Sequence, residues 1–128
     1  MIVAGIGCRS GVDTESVVEA IEAALGSVGM EPGALAALAT VPEKAGEAAI
    51  VDAAHRLDVT LVVADPAALA EAAARCLTQS AHSFTATGTP SAAEAAALAA
   101  AGPQSRLLGP RMVLGSVTCA LAATGDMP

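Results

Sequence analysis

The chain is almost without aromatic residues: Phe84 stands alone, and Trp and Tyr are absent from its 128 residues. A core must therefore be assembled from Val, Leu, Ile and Ala, and no aromatic surface is available for stacking nucleic-acid bases. Positive charge is equally sparse. Six Lys and Arg face thirteen Asp and Glu, giving a formal net charge of −7 and a pI near 4.5. The six (Arg9, Lys44, Arg56, Arg75, Arg106 and Arg111) are scattered and form no basic stripe. The two shortages together argue against nucleic acid as a partner. A local cleft can still be positive on an acidic protein, so a small anionic ligand is compatible with these numbers. A negative surface that merely keeps the protein soluble explains them too and, on these numbers alone, is the better reading.

Cysteine and histidine are few. Cys8, Cys76 and Cys119 are widely spaced and odd in number, and His55 and His82 are remote from them. No CxxC or Cys/His cluster exists, which argues against a zinc site and a disulfide framework. No metal or cofactor of the protein's own is expected. No apolar run approaches the roughly 18 residues of a membrane span. From Met1 the chain enters a strand directly, without a charged and apolar leader. The expectation is a cytoplasmic protein with no membrane partner. Its 12.4 kDa fit one domain, residues 1–128.

What the chain has is alanine, about a quarter of all residues, which favours helices and close helix–sheet packing. Ile2 to Ile6 reads as a buried strand ended by Gly7. Asp13 or Thr14 then caps a helix carrying Val17, Ile21, Leu25 and Val28 on one face, with Gly29 as its stop. Leu35 to Val41, between Pro32-Gly33 and Pro42, suits helix by composition and strand by its boundaries; it is taken as a strand. Glu43 to Leu57 predicts an amphipathic helix, and Val59 to Ala64 a strand rich in β-branched residues. Asp65-Pro66 opens a helix to about Leu77. Thr78 to Thr85 reads as a polar loop. Ser91-Ala92-Ala93-Glu94 is a capping box for a helix closed by Gly102-Pro103. Arg106 to Leu108 and Arg111 to Leu121 predict one or two final strands, interrupted by Gly109-Pro110 and with Gly115 as a second candidate break, the last two elements pairing as an antiparallel hairpin. The order implies an α/β fold: a three-layer α/β/α single domain with a parallel or mixed sheet of about five strands.

Ligands in such sheets bind outside the carboxyl ends of the strands. Arg9, Lys44 and Asp65 all follow predicted strand ends, so Arg9 and Lys44 should share that edge. Two small-residue turns precede helices: Gly5-Ile6-Gly7-Cys8-Arg9-Ser10-Gly11, and Ala86-Thr87-Gly88-Thr89-Pro90-Ser91. Helix starts leave N–H groups unpaired and carry partial positive charge, so each turn is a candidate anion site. The first is a variant of a dinucleotide fingerprint, but no acidic residue ends the second strand to hold a ribose. A tight strand-to-helix turn without any ligand explains it as well. Cys8, near a helix start and beside Arg9, is placed where a thiolate is favoured. No histidine is linked to it, and a half-buried thiol is the plainer reading. His82 is better placed than His55 for proton transfer. In the second turn Ser91 suffices as a cap, whereas Thr87 and Thr89 exceed what capping requires.

Three segments, taken in order, resemble the cobalamin-biosynthesis family of CobE and the C-terminal domain of CbiG. They are Gly5 to Gly11, Leu38-Ala39-Thr40-Val41-Pro42-Glu43-Lys44 with Glu47, and Ala86 to Ala96. The resemblance implies a role in building the corrin ring of vitamin B12. Two-domain CbiG proteins are associated with hydrolytic opening of a lactone on a cobalt-precorrin, a cobalt-precorrin-5A hydrolase-type activity that releases acetaldehyde. This chain resembles the stand-alone type, without their additional N-terminal portion. The implied partner is a precorrin or cobalt-precorrin, with other enzymes of the pathway as further partners. The candidate ligand-binding residues are Gly7, Cys8, Arg9, Lys44, Thr87, Gly88, Thr89 and Ser91; no catalytic residue is assigned. Two other readings stay open: a docking module for another pathway enzyme, and a nucleotide-binding domain using the glycine turn.

Overall fold

Ile2, Ala4 and Ile6 point to one side of the first strand and Val3 and Gly5 to the other; this alternation builds the layers. The computed structural model describes residues 1–77 and 91–124. Among these the chain runs β1 (Ile2–Cys8), α1 (Thr14–Ser27), β2 (Leu35–Thr40), α2 (Ala48–Leu57) and β3 (Thr60–Val63). It continues through α3 (Pro66–Ala73), α4 (Ala92–Ala101), β4 (Arg106–Leu107), β5 (Met112–Leu114) and β6 (Val117–Ala123). One mixed sheet has the order β3-β2-β1-β6-β4, with β5 also on β6. β1, β2 and β3 are parallel. β6 runs antiparallel along the whole of β1, from Ile2 opposite Ala123 to Cys8 opposite Val117.

Helices α1 and α2 cover the face carrying Ile2, Ala4, Ile6, Leu38 and Leu121, filling it with Val17, Ile21, Leu25 and Ile50. The opposite face, with Val3, Ala39 and Ala122, meets α3 and α4 through Leu69, Ala72, Ala96 and Leu98. The expected α/β/α layering is therefore present, with six strands where about five were expected. The additional strand arises at Gly115, whose φ of +61° turns Arg111–Leu121 into the β5–β6 hairpin.

Other boundaries moved for local reasons. β1 continues to Cys8 because its ladder with β6 does, so Gly5 and Gly7 lie inside a strand and only Gly11, at φ +82°, takes a turn conformation. α2 begins at Ala48, not Glu43: Pro42–Lys44 forms a three-ten turn and Gly46 separates it from the helix. α3 ends at Ala73, short of Leu77, and tight bonds from Arg75 N–H to Ala72 O and Cys76 N–H to Ala73 O follow it.

The caps formed largely as read. Asp13 caps α1, its Oδ1 accepting from Ser16 N–H at 2.8 Å, and Asp65 Oδ2 accepts from Ala67 N–H at 3.0 Å. Hydrogen bonding from Ser16 holds the Asp13 carboxyl below its ordinary range. A depressed folded-state pKa contributes stability above the unfolded pKa, and that contribution is lost as pH falls through the folded value. Acid titration should therefore fray the start of α1, seen as accelerated amide exchange at Ser16, and Asp13→Asn should flatten that pH dependence.

Candidate functional site at the carboxyl edge of the sheet

Parallel pairing brings the ends of β1 and β2 to one edge, and with them Arg9 and Lys44. Two hydrogen bonds knit the connections that follow: Lys44 Nζ donates to Ser10 Oγ at 3.3 Å, and Gly11 N–H donates to Glu47 Oε2 at 3.2 Å. Behind them the buried Thr40 hydroxyl donates to Ile6 O at 3.1 Å. Arg9 is fixed through its backbone, whose N–H donates to Ser116 O at 3.2 Å in the β5–β6 turn. Its side chain is exposed. The ion pairs among the described residues are Arg56–Glu15 and Arg75–Glu71, so Arg9 and Lys44 take part in none.

The helix starts offer less than expected. At α1, Ser16 N–H is taken by Asp13 and Gly11 N–H, just upstream, by Glu47. At α4, Glu94 N–H donates to Ser91 Oγ at 3.4 Å. An anion at this edge thus meets side-chain cations more readily than free backbone donors. Ser91 is fully buried, with its hydroxyl in the cap. Gly7 lies in β1, and among the described residues a Cβ there would find only Thr118 Cβ at 4.0 Å. Thr87, Gly88 and Thr89, like His82 and the expected polar loop, lie outside the described residues. His55 is exposed on α2, as read.

Cys8 follows the plainer reading, a half-buried thiol. Burial and then the Glu47 carboxylate raise its pKa, with Lys44 opposing them, so the setting beside Arg9 does not favour the thiolate. Burial also pushes Cys76 to about 11 and Cys119 to about 12. All three should be poor nucleophiles near neutrality. Alkylation with iodoacetamide should be slow at Cys8 and Cys76, and Cys119 should react only on unfolding, as peptide mass mapping would read. Among the described residues no group of three or more His, Cys, Asp or Glu is placed to hold a metal ion. No helix among them is long and apolar enough to cross a membrane.

Sequence reasoning gave Glu94 only a capping role. Its carboxylate is fully buried and accepts from Leu77 N–H and Arg111 N–H, each at 2.8 Å. No periodicity signals such a residue; an acidic position inside an alanine-rich, uniformly apolar helix is the one hint.

Residues 2–122 match the family model described as Cobalamin synthesis G C-terminus. The chain belongs to this family. It is 36% identical over 126 residues to Protein CobE of a Sinorhizobium species, across 98% of this chain and 82% of that protein. The crystal structure of CobE, a protein from the cobalamin (vitamin B12) biosynthetic pathway, superposes with a TM-score of 0.89 at 36% identity, covering 95% of this chain and 89% of that one. The cobalamin biosynthesis protein ChiG from Agrobacterium tumefaciens gives 0.79 at 40% identity, over 98% and 100%. A cobalamin biosynthesis protein G homologue from Sulfolobus solfataricus shares the fold, at TM-score 0.69 and 20% identity, over 94% of this chain and 36% of its own length. The chain is a cobalamin biosynthesis protein of the CobE and CbiG C-terminal type.

Proposed function

We propose that this protein binds a precorrin or cobalt-precorrin at the carboxyl edge of its sheet and holds it for hydrolytic opening of its lactone. The observation that carries this reading is the pairing of Arg9 and Lys44 on one edge of a strongly acidic chain, neither engaged in an ion pair among the described residues. Corrin precursors are apolar macrocycles fringed with acetate and propionate carboxylates. Two cations beside apolar strand tips suit such a ligand, since charge-assisted bonds orient it while apolar contact supplies area. Gly7, Cys8, Thr87, Gly88 and Thr89 complete the proposed contact set, while the fully buried Ser91 serves as the cap of α4. Cobalt, where present, arrives inside the ring as part of the substrate.

In the lactone step water adds to the ester carbonyl and the C–O bond breaks, giving a carboxylate and an alcohol on the extruded carbon. That alcohol loses its proton and becomes the aldehyde as its C–C bond to the macrocycle breaks. The electron pair passes to the ring, which takes up the proton, so that the carbon leaves with its methyl group as acetaldehyde. The protein's part is to hold and orient the macrocycle; no side chain is assigned as acid, base or nucleophile. Titration with a precorrin, followed by its visible absorbance, tests the reading. A saturable spectral change supports binding; none at any accessible concentration refutes it.

A second reading, docking onto another pathway enzyme, draws on edge strand β5, where Val113 and Leu114 are 57% and 41% exposed. Co-purification with a pathway enzyme, abolished by Val113→Lys, would favour it.

A further inference from the structure

Glu94 is the one acidic or basic side chain that is fully buried among the described residues. It is fully inside, in the first turn of α4, where the helix dipole favours negative charge. Its oxygens join segments distant in sequence: Oε1 accepts from Leu77 N–H, beyond α3, and Oε2 from Arg111 N–H, immediately before β5, both at 2.8 Å. An apolar residue of similar volume would pack in such a place without the desolvation cost but would hold neither of these two backbones, so their placement is a contribution that requires the carboxylate.

The second bond leads to the ligand edge. Arg111 is followed directly by β5, whose Met112, Val113 and Leu114 pair with Cys119, Thr118 and Val117. The hairpin turn between these strands carries Ser116, and Ser116 O accepts the N–H of Arg9. A three-residue edge strand has few bonds of its own to fix its height along β6, so its anchored start matters. We propose that Glu94 is a positioning residue for Arg9: by holding Arg111 it sets the β5–β6 hairpin, and through Ser116 the backbone from which Arg9 reaches the ligand. This rests on the carboxyl-edge reading above and extends it to a residue that touches no ligand.

The test is a double-mutant cycle with cobyrinic acid, a carboxylate-fringed corrin, as the titrant. Glu94→Gln keeps the volume but turns one acceptor into a donor, so one of the two N–H groups loses its partner. It should accelerate amide exchange at Leu77 or Arg111 and weaken binding by roughly tenfold in the native background. In an Arg9→Ala background the same change should weaken binding by less than about twofold, because Glu94 acts through Arg9. Ser105→Ala removes a hydroxyl bonded to Leu98 O and Gly102 O at the other end of α4, and should lower stability without altering affinity. Should Glu94→Gln fold poorly, Glu94→Asp, which keeps the charge but shortens its reach, should give the same pattern. Equal losses in both backgrounds, or native affinity in Glu94→Gln while Arg9→Ala binds weakly, would overturn the positioning role and leave the ligand reading intact. If the unmodified protein binds no cobyrinic acid, the ligand reading fails and the positioning role fails with it.

Discussion

Replacing Gly5 with alanine should cost this protein far more stability than the same change at Gly7, two residues along the same strand. A Cβ at Gly5 would fall onto the carbonyl oxygen of Ala93 and lie 2.7 Å from Ala97 N and 2.9 Å from Ala97 Cβ. Two of the three neighbours are helix backbone, which cannot rotate away, so α4 must lift from β1. Overpacking of this kind costs about 3 kcal/mol or more, which for a domain of this size lowers the melting temperature on the order of 10 °C. At Gly7 the nearest atom among the described residues is Thr118 Cβ at 4.0 Å, an ordinary contact, and Gly7→Ala should stay within about 1 kcal/mol. Thermal denaturation of the two variants side by side decides the matter. Similar melting temperatures would mean that α4 does not rest on the β1 backbone.

The contrast explains why the glycine turn misleads as a sequence motif. Gly5, Gly7 and Gly11 look like one phosphate-binding loop, yet each has a different setting. Gly5 admits a helix, Gly7 occupies a ladder position with room to spare, and Gly11 supplies a positive φ. Spacing alone cannot separate these settings, because they depend on which helix crosses the strand. The alanine of α4 belongs to the same packing: Ala93 and Ala97 are small where the helix meets Gly5.

Elements marked by strong local chemistry were legible: the caps at Asp13, Asp65 and Ser91, the β-branched run of β3, and the stop at Gly102. The ambiguous stretch Leu35–Val41 proved to be strand, consistent with its short length between prolines. Boundaries set by tertiary pairing were not legible, among them the extension of β1 to Cys8 along β6 and the late start of α2. The shared edge of Arg9 and Lys44 followed from the parallel β-α-β rule alone. The occupancy of Gly11 N–H by Glu47 could not be foreseen, since the two meet across 36 positions of sequence.

That occupancy sharpens the expectation for Arg9→Ala, which should weaken corrin binding by roughly tenfold to a hundredfold while leaving the fold intact. A bond between a charged pair contributes about 1.5–3 kcal/mol, and each 1.4 kcal/mol is a factor of ten. With Ser16 N–H and Gly11 N–H already accepted by carboxylates, the backbone near Arg9 has less with which to replace the lost guanidinium. The fold should be indifferent, because the side chain is exposed and the residue's structural bond to Ser116 is made by its backbone. Lys44→Met should weaken binding less, since Lys44 is half-buried and its Nζ already donates to Ser10. Raising the salt concentration should weaken the native protein more steeply than Arg9→Ala, as expected when an exposed ion pair is removed. Titrations of the three proteins with the same corrin at two ionic strengths would read all of this. A folded Arg9→Ala protein with native affinity and native salt dependence would remove Arg9 from the site and turn attention to β5 as a docking edge.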